Sequence, residues 1–198
     1  MNTLTKPFRK LYSVTIDRSK FREVAQRYTV FLLPLFFLGQ NPRFAGLLIA
    51  AFGVLIRAWA AGYLKKDESL ASGGPYLFAR HPLYLGSCLL SLGLIVALNH
   101  WLVTLLLGGI TFLTYNHTIR HEEKNLRARF GLAYDEFSHR VGPLWPKPAG
   151  LAYIFKHPGN VFGGFSFKQY LKNKEYECLL GVAVVFLALY FFRTQSGV

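Results

Sequence analysis

Acidic and sulfur-containing residues are scarce in this chain. Its 198 residues include only ten Asp or Glu against 23 Lys or Arg, with two cysteines and one methionine. Cys88 and Cys178 both fall within apolar runs, and no CxxC or His/Cys ligand spacing occurs. This argues against a disulfide framework and predicts no metal site. We expect both cysteines to be small residues of an apolar interior.

The first 27 residues also lack an apolar run. We expect no cleavable signal peptide there, but a basic segment that is either amphipathic or flexible. The net charge of +13 would suit a nucleic-acid-binding protein. Its distribution argues against that function, because the charges lie between long apolar blocks in a chain that is 52% hydrophobic. This pattern is typical of a multi-pass membrane protein, so we expect membrane lipids and no nucleic acid as partners.

The apolar blocks predict an all-α fold, a multi-pass transmembrane helix bundle of about five spans. The predicted spans cover residues 28–39 (extended back towards Val24), 44–64, 83–98, 101–119 and 178–192. They divide the chain into a basic segment (1–27), the first two helices (28–64), a catalytic core with two helices (65–147) and a C-terminal extension (148–198).

The basic residues fall on one side of this topology. If the N-terminus is cytoplasmic, 20 of the 23 basic residues and all ten acidic residues lie in the cytoplasm. We therefore expect the N-terminus and the active site on the cytoplasmic side. Of the other three, Arg43 and Arg193 fall on the opposite side, and Arg57 lies inside a predicted span. It could line a transport pathway, but snorkelling or a structural hydrogen bond is the favoured interpretation.

Residues 73–86, GGPYLFARHPLYLG, form the first unusual cluster, at the mouth of the third predicted span. Their glycines and prolines predict an irregular backbone, and Pro82 disfavours helix at His81. Arg80, His81 and Tyr84 would be costly beside lipid unless they serve a function. The alternative is a basic turn at the membrane edge with an aromatic anchor.

Residues 120–131, RHEEKNLRARFG, form the second cluster, in which the fourth span is predicted to leave the membrane as a helix ending at Gly131. Glu122 and Glu123 point about 100° apart on a helix, so at most one should face the bundle centre fully. The alternative is a solvated face on which Glu123 pairs with Arg127. A short apolar stripe follows, formed by Tyr134, Phe137, Val141, Trp145 and Pro146, for which packing on the membrane surface is the alternative to a role in the site.

The short Asn99-His100 turn makes the third and fourth spans antiparallel neighbours. Both clusters then lie at one membrane face, where converging polar groups predict a functional site. Arg80 and Glu123 are its candidate catalytic residues.

Three blocks occur in order over residues 50–147: G-P-Y-x-x-x-R-H-P-x-Y-x-G, E-E-x-x-L-x-x-x-F-G-x-x-Y-x-x-F and V-x-x-x-x-P. This order resembles the isoprenylcysteine carboxyl methyltransferases and the related phospholipid methyltransferases. The resemblance implies a membrane enzyme with a cytoplasmic-face pocket for S-adenosylmethionine and a lipid or prenylated acceptor. The cofactor-binding residues it implies are Gly74, Tyr76, Arg80, His81, Tyr84, Gly86, Glu122 and Glu123.

The chain departs from this family in two places. Gly142 stands where many relatives have proline, so the family pattern does not predict the shape of the closing segment at residues 141–146. The extension at 149–198 has no counterpart in short relatives. Two other functions remain open: an NADPH-dependent sterol-type reductase, which shares the R-H-P-x-Y-x-G block but is usually longer, and a non-catalytic membrane subunit or transporter. The acceptor has no motif of its own, so the sequence leaves O- and N-methylation open.

The chemistry of the named side chains suits the implied cofactor. Arg80 can hold a carboxylate in bidentate fashion. Glu122 or Glu123 can accept hydrogen bonds from ribose hydroxyls or an amino group, and His81 and Tyr84 can add hydrogen bonds and a ring face near a sulfonium. A carboxylate acceptor needs no base, whereas an amine acceptor must lose a proton.

Overall fold

A computed structural model describes residues 44–65 and 69–195 of the chain. Within these ranges the regular structure is helical and contains no strands, which confirms the all-α prediction for this part of the chain. The predicted basic segment at 1–27 and the predicted first span at 28–39 lie outside the described residues.

The first two described helices pack against each other as an antiparallel pair. Helix α1 spans Phe44–Tyr63 and helix α2 spans Pro82–Leu98. Small residues line their contact: a Cβ on Gly53 would lie 2.6 Å from the carbonyl oxygen of Gly86, and a Cβ on Gly93 would lie 2.4 Å from an α1 backbone nitrogen. Small residues let membrane helices approach this closely, so any larger side chain here would push the pair apart.

Helix α3 spans Trp101–Phe130 and returns beside α2 after a tight turn. Asn99 adopts the left-handed conformation in this turn, and His100 Nδ1 accepts a hydrogen bond from the Leu102 amide at 3.3 Å. The helix is longer than the predicted span at 101–119. It continues past its apolar part and ends at Gly131, whose φ is 52°, which confirms the predicted helix leaving the apolar run.

Within the described part of the chain, two helical segments are long and apolar enough to cross a membrane, Ala45–Tyr63 and Trp101–Phe130. Pro82–Leu98 and the segment Tyr176–Ala188 are apolar but shorter. A helical membrane protein therefore fits the structure, and five spans remain a prediction. Large apolar side chains on α1 and α3 are well exposed, as a lipid-facing surface would require; Leu55 and Leu113 are 65% and 70% exposed.

A short 3₁₀ turn at Gly74–Leu77 lies between α1 and α2. The remaining helices of the described residues follow α3. They are α4 (Leu132–Arg140), α5 (Pro148–Lys156), α6 (Gly159–Phe162), α7 (Phe167–Lys172) and α8 (Tyr176–Gln195). Helix α8 contains the predicted fifth apolar run. Cys88 and Cys178 are free thiols in α2 and α8 and are only partly buried, so neither lies in the fully apolar interior expected for them.

The buried core beside the loops consists of Ala60, Tyr76, Tyr134, Phe137 and Val141. The first part of the α4 stripe therefore packs on protein and not on the membrane surface, the alternative considered for it. Tyr134, Phe137 and Val141 are 1%, 4% and 1% exposed, because α4 folds back onto the end of α1 and the 3₁₀ turn. Trp145, later in the stripe, is 71% exposed.

Candidate functional site

The loop before α2 is held in an irregular shape by its glycine and proline residues. Gly74 has a φ of 56°, and a Cβ there would lie 2.5 Å from the ring of Tyr63, so only glycine fits without strain. Pro82 occupies the first position of α2, where its missing amide costs nothing. His81 before it is non-helical, with φ −124° and ψ 62°. The predicted open backbone at His81 is thereby confirmed.

The segment after α4 closes over this loop through backbone hydrogen bonds. The Arg80 amide donates to the Gly142 carbonyl at 2.8 Å, and the His81 amide donates to the Pro143 carbonyl at 3.0 Å. A Cβ on Gly142 would lie 2.1 Å from the Trp145 carbonyl oxygen, so this turn requires glycine. The departure at Gly142 is therefore part of a closed and ordered contact with the site loop.

Four polar side chains meet where α2 begins and α3 leaves its apolar run. Arg80 Nη2 lies 2.8 Å from Glu123 Oε1 in a salt bridge. His81 lies between the two glutamates, with Nε2 3.4 Å from Glu123 Oε1 and Nδ1 3.8 Å from Glu122 Oε2. Both acids therefore reach the same buried imidazole from opposite sides, although adjacent helical positions diverge. Glu123 contacts both Arg80 and His81 and lies closer to His81 than Glu122 does.

The alternative, a surface salt bridge of Glu123 with Arg127, is not what the described residues show. Arg127 instead makes a 2.7 Å salt bridge to Asp135 at the start of α4, and Glu123 turns towards Arg80. The hydrogen bond with His81 and the positive charge of Arg80 hold the pKa of Glu123 below its ordinary value, against the opposing effect of partial burial. The carboxylate is thus kept ionised in the cluster.

Aromatic rings surround these charges. The His81 and Tyr84 rings lie 5.6 Å apart, and Tyr84 in turn lies 5.2 Å from Tyr115 of α3. The Arg80 guanidinium lies 5.9 Å from the centre of the Tyr134 ring. Tyr115 and Tyr134 were missing from the predicted site. Tyr134 is the tyrosine of the F-G-x-x-Y block and could have been included, whereas Tyr115 stands in an apolar run without a pattern.

Two buried polar atoms in the cluster have no hydrogen-bond partner of normal geometry within the described residues, Arg80 Nε and the Tyr134 hydroxyl. Burial, opposed by the Arg80 cation and helped by the Glu123 carboxylate, raises the pKa of Tyr134 to about 12. Unsatisfied buried donors are costly, so they mark places where an acceptor from a ligand would be favourable. A carboxylate-bearing ligand fits this donor set.

The structure separates the predicted site residues into two groups. Arg80, His81, Tyr84, Glu122 and Glu123 surround one point at the cluster. The remaining three lie behind it: Gly74 packs on Tyr63, Gly86 faces the α1 backbone, and Tyr76 is 6% exposed in the core. Their direct contact with a cofactor stays a prediction.

An open apolar groove of about 240 Å³ runs between α2 and α3 next to the cluster. Its lining includes Cys88, Ser91, Thr111, Tyr115, Ile119 and Leu144. Tyr115 connects the two places, because its ring also contacts Tyr84. Among the described residues, no group of three His, Cys, Asp or Glu side chains is arranged to hold a metal ion.

The sequence pattern of one protein family, described as phospholipid methyltransferase, matches residues 42–133. That region runs from just before α1 to the start of α4 and includes every predicted cofactor-binding residue. It excludes Tyr134, the closing segment and the C-terminal extension.

Two curated proteins are similar over part of this chain. The cobalt-zinc-cadmium resistance protein CzcN of Cupriavidus metallidurans is 32% identical over 104 residues, which are 52% of this chain and 48% of that protein. The protein-S-isoprenylcysteine O-methyltransferase of Schizosaccharomyces pombe is 30% identical over 89 residues, 45% of this chain and 35% of that protein. The matched part of this chain thus spans less than half the length of either relative. No solved structure matches the chain.

Proposed function

We propose that this chain is a membrane methyltransferase that uses S-adenosylmethionine, because residues 42–133 match the pattern of the phospholipid methyltransferase family. Its acceptor is a lipid or a lipid-attached group, with an isoprenylcysteine-type carboxylate and a phospholipid amine as the two candidate classes. The observation that carries the proposal is the buried Arg80–His81–Glu123 cluster inside the matched region.

The charges of the cluster favour this cofactor. One arginine faces two glutamates, so with neutral His81 the cluster is net negative. S-adenosylmethionine supplies a cationic sulfonium that carries the transferable methyl group, and it is positively charged as a whole. Arg80 would hold its carboxylate through the unsatisfied edge of the guanidinium, and Glu122 or Glu123 would accept from its amino group or ribose. Positioning of this kind is the main requirement of methyl transfer.

The acceptor classes place different demands on His81. A carboxylate acceptor is already a nucleophile, so His81 would only orient neighbouring groups. An amine acceptor must lose a proton, and His81, held between Glu122 and Glu123, is the side chain in place to take it. The groove between α2 and α3 offers an apolar path for a lipid chain beside either reaction.

The alternatives are less well supported by the geometry. NADPH carries several phosphates, and a net-negative cluster disfavours it. A transport pathway would be favoured by a solvent-facing charge inside a span. Arg57 instead pairs with Glu175 and Ser87, which agrees with a structural role.

Ligand binding by the detergent-purified protein tests the proposal. Titration with S-adenosylmethionine and S-adenosylhomocysteine should show saturable binding, and NADPH should show none. Arg80→Ala should weaken the binding, whereas Arg129→Ala, a change in an exposed arginine near the end of α3, should not. Binding of NADPH alone would favour the reductase. Absence of binding by all three would leave a non-catalytic membrane subunit.

We also propose that the site faces the cytoplasm. The asymmetry of the basic residues supports this orientation. Single cysteines at position 70 and at positions 150–170 should react with a membrane-impermeant reagent from the cytoplasmic side, and one at position 41 from the opposite side. Labelling of positions 41 and 70 from the same face would overturn the arrangement.

A further inference from the structure

The C-terminal extension lies outside the family-matched residues 42–133, yet it caps the end of α1. Asn173, which is 4% exposed, donates from Nδ2 to the carbonyls of Ala61 and Leu64 at 2.8 Å each. Gln169 adds a 2.7 Å hydrogen bond to the same Leu64 carbonyl. The last carbonyls of a helix have no partner within the helix, so these side chains satisfy groups that would otherwise stay unpaired.

The extension also holds the charged residue inside α1. Arg57 Nη2 and Nε lie 2.7 and 3.1 Å from Glu175 Oε2, at the residue just before α8. On its other side, Arg57 Nη1 donates to the Ser87 hydroxyl and to the Leu83 carbonyl of α2. The Arg57 and Glu175 side chains are only 21% and 14% exposed. One guanidinium therefore joins the extension to the first two turns of α2.

Those two turns directly follow the site loop. Leu83 and Ser87 lie within seven residues of Arg80 along the chain. The stem of Arg57 packs on Gly86, where a Cβ would lie 2.6 Å from Arg57 Cγ. A shift of Arg57 would therefore be transmitted to the start of α2, because the contact leaves no free space.

We propose that Glu175 is a positioning residue: through Arg57 it sets the start of α2, and hence Arg80 and His81, relative to Glu123 on α3. Its effect on cofactor binding rests on the proposed function, while its effect on the α2 start does not. The C-terminal extension then helps to position the site residues, although it contributes no residue to the cluster.

The competing explanation is that the Arg57–Glu175 ion pair only stabilises the fold. Replacement of both partners at once distinguishes this explanation from the positioning role. A buried ion pair can be replaced by apolar residues of similar size with little loss of stability, whereas removal of one partner leaves a buried charge. Glu175→Gln should therefore lower thermal stability, and the double variant Arg57→Met/Glu175→Met should restore it. If the pair positions α2, the restored protein should still bind S-adenosylhomocysteine about tenfold more weakly than the wild type.

Ser87→Ala keeps the ion pair and removes the closer of the two hydrogen bonds from Arg57 to α2, so it tests the same link without a folding defect. We expect a several-fold loss of affinity with a small change in thermal stability. Glu136→Gln, the same kind of charge removal at an exposed position of α4, is the control and should match the wild type. Wild-type affinity in both Ser87→Ala and the stable double variant would overturn the proposal.

Hydrogen–deuterium exchange gives a measurement that does not depend on any ligand. The Arg80 and His81 amides donate to Gly142 and Pro143, so their protection reports the position of the loop. Protection should fall in the double variant and in Ser87→Ala, and stay unchanged in Glu136→Gln. Unchanged protection in all three variants would contradict the positioning role. If protection falls in the double variant and in Ser87→Ala but the wild type binds no ligand, the positioning role is supported and the methyltransferase proposal is rejected.

Discussion

Arg57 and Arg80 are both largely buried and both paired with a glutamate far along the chain, yet they differ in how completely they are satisfied. Arg57 uses Nε, Nη1 and Nη2 in contacts to Glu175 and Ser87. Arg80 pairs with Glu123 through Nη2, but its buried Nε has no partner within the described residues. A saturated guanidinium serves the fold, whereas an unsaturated one keeps hydrogen-bonding capacity for a ligand. The two arginines thus separate a structural ion pair from a binding one.

The largest expected effect is on stability, from the loss of Arg57. Arg57→Ala leaves Glu175 buried without its cation, a change that costs about 3–5 kcal/mol. Arg80→Ala should cost clearly less, because Glu123 is 28% exposed and keeps its contact with His81. Unfolding of both variants in mixed detergent solutions measures the difference. Equal losses would remove the distinction between the two arginines.

The next effect concerns Arg80 and cofactor binding. Arg80→Lys keeps the charge but loses the planar fork and the unsatisfied Nε, so it should fold normally and lose most methyl transfer. We expect cofactor binding to weaken by about 1.5–3 kcal/mol, the range for a hydrogen bond to a charged group. Arg80→Ala should be at least as weak.

Kinetics show which ligand Arg80 holds. A loss confined to cofactor affinity would identify the cofactor carboxylate as its partner. Normal cofactor affinity with reduced turnover would point to an acceptor carboxylate. Full activity in Arg80→Lys would exclude Arg80 from the site.

A smaller contrast is expected between the two adjacent glutamates. Glu123 lies 2.8 Å from Arg80 and 3.4 Å from His81, whereas Glu122 lies 3.8 Å from His81. Glu123→Gln should therefore weaken cofactor binding more than Glu122→Gln, by roughly 1.5 kcal/mol or more. Isothermal titration with S-adenosylhomocysteine compares them under one condition. A larger effect of Glu122→Gln would reverse this assignment.

The parts of the fold that local signals control could be predicted from the sequence. Helix α2 begins at Pro82 and α3 ends at Gly131, because proline and glycine set helix boundaries through their own backbone geometry. The grouping of Arg80, His81 and the two glutamates also followed from the short turn at 99–100, which requires α2 and α3 to be neighbours.

The contacts that the sequence did not predict join residues that are far apart along the chain. Glu123 has both Arg127 and Arg80 as possible partners. Only the tertiary structure shows that it pairs with Arg80, the one farther away along the chain. The partner of Arg57 lies 118 residues away in a segment without a recognisable motif. Likewise, the apolar stripe that begins at Tyr134 indicates a buried face but cannot tell whether protein or membrane covers it.

The smallest expected effect is on the pH dependence of stability and comes from the Tyr134 hydroxyl. Like Arg80 Nε, this hydroxyl is buried without a hydrogen-bond partner of normal geometry, but it is uncharged. Burial raises the pKa of Tyr134 to about 12, while an unfolded tyrosine ionises near pH 10. The folded state therefore holds a proton that the unfolded state releases between these values. The resulting contribution to stability is complete below about pH 10 and is lost as the pH rises towards 12.

Tyr134→Phe should remove this alkaline loss. Because the hydroxyl has no hydrogen-bond partner of normal geometry, the variant should differ from the wild type by less than about 1 kcal/mol at pH 7. Unfolding measured at pH 7, 10 and 11 should show a shallower decline in the variant than in the wild type. Tyr190→Phe, which removes a phenol from a side chain that is 70% exposed, is the matched control. An identical decline in Tyr134→Phe and the wild type would mean that the hydroxyl is solvated. The Tyr134 side chain would then not shield the site from water.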